Sequence, residues 1–202
     1  MRKTTYICLF DLRPYDQRVA PALRAYARKY DPKPVVALLH QVVELVPVLS
    51  KEPGRILLGA EDYQHWIDSL EPDAGYKPSE QTMREVADML IPPLCVPHGL
   101  GLNPMQDTDK FVPWLTDRSD WFADLENGGE ELSGGRLEFT FGTGALIATK
   151  QQIQQFVDEI RGIPPPEGEF AALAGDLDNL KKLLEKAKSE AAYTLLRTSL
   201  AH

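Results

Sequence analysis

The chain has 202 residues, of which 43% are hydrophobic and 26% are charged. This length fits one globular domain, and the composition excludes a wholly disordered or collagen-like chain. The net charge of −8 argues against a dedicated nucleic-acid-binding protein, because such proteins normally present a strongly basic face to the phosphates.

The first apolar run is too short to be a signal peptide or a membrane helix. It covers residues 6–10 and ends at Asp11, whereas a signal peptide needs about 7–15 apolar residues and a membrane helix about 20. The two cysteines, Cys8 and Cys95, are isolated from each other, as is typical of reduced thiols. We therefore expect a cytoplasmic protein that does not bind membranes, with Cys8 buried and unoxidised in the first strand.

The first half of the chain predicts one strand followed by helices. The strand covers residues 4–10, and helices are expected over 15–30, 31–46, 61–70 and 79–90. Ser79 is placed to cap the last of these helices. From residue 91 to residue 113 prolines and glycines become frequent, which predicts a long irregular connection that contains Cys95.

The second half predicts three helices and three strands. Helices are expected over 114–126, from Thr149 to about 160, and over 173–188; strands are expected over 137–141, 145–148 and 193–199. Thr149 and Gln152 have the spacing of a capping box. A small domain has one sheet in which to bury its strands, so we expect the first and the last strand to share it. The prediction is a single α+β domain over residues 1–202, with a small, mostly antiparallel sheet packed against several helices.

The C-terminal third also has a residue order that can be compared with a known family. A pair of glycines and a short strand precede a helix, and a proline break separates this helix from a late helix and a closing strand; the residues are Gly128-Gly129, Phe141-Gly142-Thr143-Gly144-Ala145, Gln152-Ile153-Gln154-Gln155-Phe156, Asp178-Asn179-Leu180-Lys181-Lys182-Leu183, Ala187 and Tyr193-Thr194-Leu195-Leu196. This order resembles the YfbM-like family of bacterial domains of unknown function. The resemblance implies an α+β fold and a gene that neighbours toxin–immunity systems, and it implies no catalytic residues.

One set of residues could serve a nucleophilic enzyme. Cys95 and His98 are three residues apart, and an imidazole within hydrogen-bond distance can generate a thiolate if a third group orients the ring. Asp117 is the candidate for that third group. Catalytic pairs normally come from separate elements, however, and two ligands are too few for zinc. We expect no metal and no cofactor, and a small hydrolase or transferase that uses residues 91–126 is the alternative function.

The acidic segment, residues 107–131, is the most unusual surface that the sequence predicts. It contains eight carboxylates and two cationic side chains, a local charge of −6. Two tryptophans in it are seven residues apart and therefore on one face of the expected helix. Carboxylates steer a basic partner and indoles anchor it, so the candidate binding residues are Trp114, Asp117, Asp120, Trp121 and Asp124.

This segment has a structural reading as well as a functional one. If it is only a rim of the fold, both indoles face the core and the carboxylates pair with arginines of the first helix. If it is an interface, the aspartates and at least one indole are exposed. Residues 1–33 hold eight basic and three acidic residues. This local charge of +5 could meet a phosphate or an anionic partner; more often such a charge is the solvated face of an amphipathic helix or balances carboxylates elsewhere. We favour a cytoplasmic bacterial binding protein without catalytic activity, of the immunity type that neutralises a basic protein toxin.

Overall fold

The computed structural model describes residues 3–52, 58–70, 75–97, 102–104, 108–120, 122, 137–140 and 142–201. In chain order these residues form β1 (Lys3–Asp11), α1 (Leu12–Pro14), a π-helical turn (Tyr15–Val19), α2 (Ala20–Lys29), α3 (Lys33–Leu49), α4 (Ala60–Leu70), α5 (Glu80–Cys95), β2 (Leu102–Pro104), α6 (Thr108–Thr116), β3 (Thr143–Ile147), α7 (Lys150–Gly162), a 3₁₀ turn (Gly168–Leu173), α8 (Ala174–Ser189) and β4 (Tyr193–Ala201). The α+β fold class is confirmed. Within the described part of the chain, no helix has the length and hydropathy needed to cross a membrane.

The strands form one sheet in the order β2-β1-β4-β3. The β1–β2 pair is antiparallel, with Ile7 opposite Asn103, and the β3–β4 pair is antiparallel, with Ile147 opposite Leu196. The first and the last strand are neighbours, which confirms that they share a sheet. Cys8 lies in β1 and is completely buried, as the apolar run around it predicted.

Contacts divide the described chain into two compact units. One, the sheet unit, takes its residues from 1–10, 102–137 and 142–202; the other, the helix unit, takes them from 11–101 and 138–141. The single domain over 1–202 stays a prediction.

In the sheet unit, α7 and α8 pack against each other and against β4. Apolar side chains at helical spacing, such as Phe156 on α7 and Leu184 on α8, are fully buried. The capping box at the start of α7 is present: the hydroxyl of Thr149 accepts from the Gln152 N–H, and the Gln152 side chain accepts from the Thr149 N–H. Local sequence chemistry therefore sets where α7 begins.

In the helix unit, α3 packs against α2, α4 and α5. Its centre is filled by large apolar side chains, including Tyr26, Leu39 and Tyr63, each at most 1% exposed. The Ser79 hydroxyl accepts from the Thr82 N–H, which confirms the predicted cap of α5.

The prediction that Cys95 lies in an irregular connection is wrong. Helix α5 continues through Pro92 and Pro93 to Cys95, and all three side chains are buried. Apolar contacts of this last turn offset the hydrogen bonds that prolines cannot make.

The prediction of a strand over 137–141 is wrong for residues 137–140, which are not a strand. The backbone N–H and C=O of Phe139 instead bond to the hydroxyl of Tyr15, each at 2.9 Å.

Candidate binding groove

Trp114 lies on the buried side of α6. Phe111, Trp114 and Leu115 have the i, i+3, i+4 spacing of one helix face, and all three are buried. The Trp114 side chain is 4% exposed and stacks on Phe111 with ring centroids 6.1 Å apart. Its indole therefore faces the core of the sheet unit, as the structural reading of the acidic segment expects.

The chain turns immediately after α6, which ends at Thr116. The turn holds Asp117 and Arg118, and the Arg118 side chain folds back over the helix end. Its Nη1 donates to the Trp114 carbonyl at 2.9 Å, and its guanidinium lies 4.8 Å from the centre of the Trp114 ring. This combination of a charge-assisted hydrogen bond and a cation–π contact fixes a positive charge above the indole.

Ser119 starts the next helical turn and joins it to α7. Its hydroxyl accepts from the Phe122 N–H at 3.0 Å and donates to Glu159 at 2.8 Å. The expected uninterrupted helix over 114–126 is therefore wrong, because a new cap at Ser119 follows the turn. Asp117 and Asp120 lie on either side of this cap and both are exposed.

A groove of about 270 Å³ lies beside this turn in the sheet unit. Its walls come from α6, from the segment that follows α7 and from the 3₁₀ turn; the lining residues are Trp114, Arg118, Pro164, Pro165, Pro166, Glu167 and Phe170. Most of the lining consists of the rings of Trp114, the three prolines and Phe170. The prolines present apolar ring atoms and have no backbone N–H to donate. A volume near the low end of the usual range for ligand pockets, about 300–1,000 Å³, suits an amino-acid side chain or a short peptide stretch better than a large cofactor.

The lining of the groove carries one charge of each sign. Glu167 and Arg118 line it. Asp117, Asp120 and Glu169, which lie within two residues of lining residues in the sequence, are exposed. The Glu167 carboxylate can attract a positively charged group, and the apolar rings of the lining can hold its aliphatic or aromatic part.

The predicted binding residues are thus described in part. Trp114 lines the groove with its indole buried, and Asp117 and Asp120 are exposed in the short stretch that follows α6. Trp121 and Asp124 lie outside the described residues. The functional reading of the acidic segment expects at least one exposed indole, and the burial of Trp114 alone does not test that expectation. The sequence did not single out Pro165 or Phe170 as part of a site, although three consecutive prolines beside a phenylalanine were a visible signal.

The alternative catalytic set gains no support from the structure. Cys95 is 1% exposed in the helix unit, and a nucleophilic thiolate must reach its substrate. Asp117 is exposed in the sheet unit, and His98 lies outside the described residues. Among the described residues, no group of three or more His, Cys, Asp or Glu side chains could hold a metal ion.

The arginines of the N-terminal region have carboxylate partners of their own. Arg13 pairs with Asp11 at 2.6 Å, and Arg24 and Arg28 both pair with Glu138, at 2.6 and 2.8 Å. Glu138 lies outside the acidic segment. Asp11 is already counted in the local charge of +5, so Glu138 is the carboxylate that balances part of this charge from elsewhere in the chain, as one of the sequence-based alternatives expects.

The chain was compared with protein-family models, with curated proteins and with solved structures, and no match was found. The resemblance to the YfbM-like family therefore stays a prediction.

Proposed function

We propose that this chain is a bacterial cytoplasmic binding protein without catalytic activity, of the immunity type, that neutralises a basic protein toxin. The observation that carries the proposal is the groove, in which Glu167 lies among proline and phenylalanine rings, together with the exposed carboxylates of Asp117 and Asp120, which are close to the lining residue Arg118 in the sequence. The resemblance of the C-terminal third to the YfbM-like family supports the toxin–immunity context.

The chemistry of the groove favours a partner segment that carries lysine or arginine. The carboxylates raise the rate of encounter with a basic surface, and this effect weakens as salt screens the charges. The proline and phenylalanine rings then bury the aliphatic stem of the incoming side chain, which supplies the lasting contact. An exposed ion pair alone contributes about 0–1 kcal/mol, so the buried apolar contact must provide most of the affinity.

The genes beside this one in its native genome provide the test. Each is expressed alone in a bacterial host; we expect one to arrest growth and this chain to relieve the arrest when it is expressed together with it. The two proteins should form a complex whose association rate falls about tenfold between 50 and 500 mM salt. If no neighbouring gene is toxic, or if the chain leaves the arrest unchanged, the proposal is wrong.

Two variants with the same change in charge locate the interface. Asp117→Lys with Asp120→Lys should abolish both binding and relief, whereas Glu44→Lys with Asp68→Lys, at exposed positions of the helix unit, should leave both intact. Cys95→Ala separates binding from the hydrolase or transferase alternative, because a binding protein keeps its function without that thiol. Loss of relief in Cys95→Ala protein that still binds the partner would favour the enzyme.

A further inference from the structure

A short bent segment of the helix unit, residues 138–140, is held by side chains from earlier in that unit, in the manner of a bound peptide. The two carboxylate oxygens of Glu138 accept hydrogen bonds from Arg24 Nε at 2.6 Å and from Arg28 Nη2 at 2.8 Å. The next residue, Phe139, is held by its backbone: its carbonyl accepts from the Tyr15 hydroxyl, and its N–H donates to the same hydroxyl oxygen. Side chains of the helix unit therefore hold the carboxylate of Glu138 and the backbone of the residue that follows it, Phe139.

The residues that make these contacts lie in two adjacent elements, the π-helical turn and α2. Arg24 and Arg28 are four residues apart on α2 and so lie on one face of it. Tyr15 is 3% exposed and opens the π-helical turn, a rare form of helix that is frequent at functional sites. The buried ring restricts the position of the hydroxyl, and two neighbouring guanidinium groups favour a negatively charged ligand.

The segment itself is held by contacts that are easily exchanged. The Arg24 and Arg28 side chains are 44% and 69% exposed, so water and salt weaken their ion pairs with Glu138. Residues 137–140 form neither helix nor strand. Another short segment with a glutamate could make the same set of contacts.

We propose that Tyr15, Arg24 and Arg28 form a binding site for a short acidic peptide of a partner protein, which residues 138–140 occupy within the chain itself. The arginines select a carboxylate, and Tyr15 binds the backbone of the residue that follows it, whatever its side chain. This site has the opposite charge preference to the groove and does not depend on the function proposed for the groove.

The test uses the full chain with its own segment weakened. In Glu138→Lys with Phe139→Pro, the first change places a like charge beside the arginines and the second removes the N–H that donates to Tyr15. The probe is a fluorescent peptide with the sequence of residues 134–142, Gly-Gly-Arg-Leu-Glu-Phe-Thr-Phe-Gly, and anisotropy measures binding. We expect this variant to bind the peptide at least about tenfold more tightly than the unaltered chain, in which the tethered segment competes at an effective concentration of order millimolar.

Control variants identify the groups responsible. Adding Arg24→Gln with Arg28→Gln should weaken peptide binding at least about tenfold, because these groups hold the carboxylate. Adding Arg84→Gln with Lys77→Gln, at exposed positions of the same unit, should not change it. A peptide with glutamine in place of the glutamate should also bind about tenfold more weakly. Equal binding by the two sets of variants, or no binding by the folded Glu138→Lys/Phe139→Pro chain, overturns the proposal.

A second measurement decides the question if that double variant fails to fold. The unaltered chain is irradiated with a millimolar concentration of the same peptide, in which benzoylphenylalanine replaces the phenylalanine after the glutamate. We expect cross-links near Tyr15 that the acidic peptide suppresses and the glutamine peptide does not. Cross-links elsewhere, or none, overturn the proposal.

Discussion

Lys150 joins the end of α8 to the start of β4, and its replacement tests whether this junction stabilises the sheet unit. The Lys150 ammonium donates to the backbone carbonyls of Ala187, Glu190 and Tyr193. The Ala187 carbonyl is one of the last four of α8, which have no partner within the helix. Lys150→Met removes the charge and all three bonds and keeps a stem of similar length.

The expected cost follows from the burial of the three acceptors. The hydrogen bonds to the Glu190 and Tyr193 carbonyls are exposed. Water can replace the ammonium at both carbonyls, so these two bonds add little to the free energy of unfolding. The bond to Ala187 is partly buried and charge-assisted, worth about 1.5–3 kcal/mol. A cation at a helix C-terminus adds about 0.3–1 kcal/mol. We therefore expect Lys150→Met to lower the free energy of unfolding by about 2–4 kcal/mol, which lowers the melting temperature by about 4–16 °C in a chain of this size.

Urea and thermal unfolding followed by circular dichroism measure this effect. Lys182→Met is the matched control, because Lys182 is exposed on α8 and its loss should change stability by no more than about 0.5 kcal/mol. If the two variants lose the same small amount of stability, the ammonium does not hold the junction and the reasoning from the three carbonyls is refuted.

Three further predictions concern single side chains. Burial, with smaller contributions from nearby negative groups, raises the pKa of Tyr15 above its ordinary value of 10.0. The neutral phenol therefore contributes to the free energy of unfolding fully below pH 10, and this contribution is lost as pH rises through the raised pKa. Urea unfolding between about pH 9 and pH 11 should show a steeper loss of stability for the unaltered chain than for Tyr15→Phe, and equal slopes would contradict this. Thr149→Ala should lower the free energy of unfolding by about 1 kcal/mol through loss of the α7 cap, whereas Thr149→Ser should retain most of it. Because both thiols are buried, a thiol reagent should label Cys8 and Cys95 only as denaturant unfolds the chain, and rapid labelling of either in the native protein would show that it is accessible.

The elements that the sequence predicted well are those whose signals are local. Ser79 caps α5 and the Thr149–Gln152 pair caps α7, because a cap depends on residues three positions apart. The pairing of β1 with β4 followed from a simple constraint: two short apolar strands in a small α+β chain have one sheet in which to be buried.

Two of the predictions that failed were decided by packing or by contacts distant in sequence, whereas the break after α6 involves a local cap at Ser119. A strand was expected over 137–141 from its apolar and aromatic residues, but the Phe139 backbone bonds to Tyr15, 124 residues earlier in the chain. Pro92 and Pro93 predicted an end to α5, yet burial of both rings carries the helix on to Cys95. Neither the position of a distant hydroxyl nor the depth of a proline ring can be seen in the local pattern.

The candidate groove shows the same division between local and distant information. Charge density drew attention to Asp117 and Asp120, and both are exposed. The opposite wall, around Pro165 and Phe170, comes from a segment about 50 residues later and acquires its meaning only through packing beside Trp114. The sequence alone drew attention to the exposed carboxylates near the groove, because a cluster of charges can be read from a list of residues. It did not indicate the wall around Pro165 and Phe170, because that wall forms only when distant segments pack together.

For the binding function proposed above, we expect Arg118 to limit which partners fit the groove. Its guanidinium lies over the Trp114 ring and donates to the Trp114 carbonyl, and the same lining carries Glu167. A partner that carries only positive charge would meet this cation as well as the carboxylate, and like charges placed together cost free energy. We therefore expect the best partner to place a cation against Glu167 and an uncharged or acidic group against Arg118. Such a requirement for charges of both signs disfavours unrelated basic surfaces.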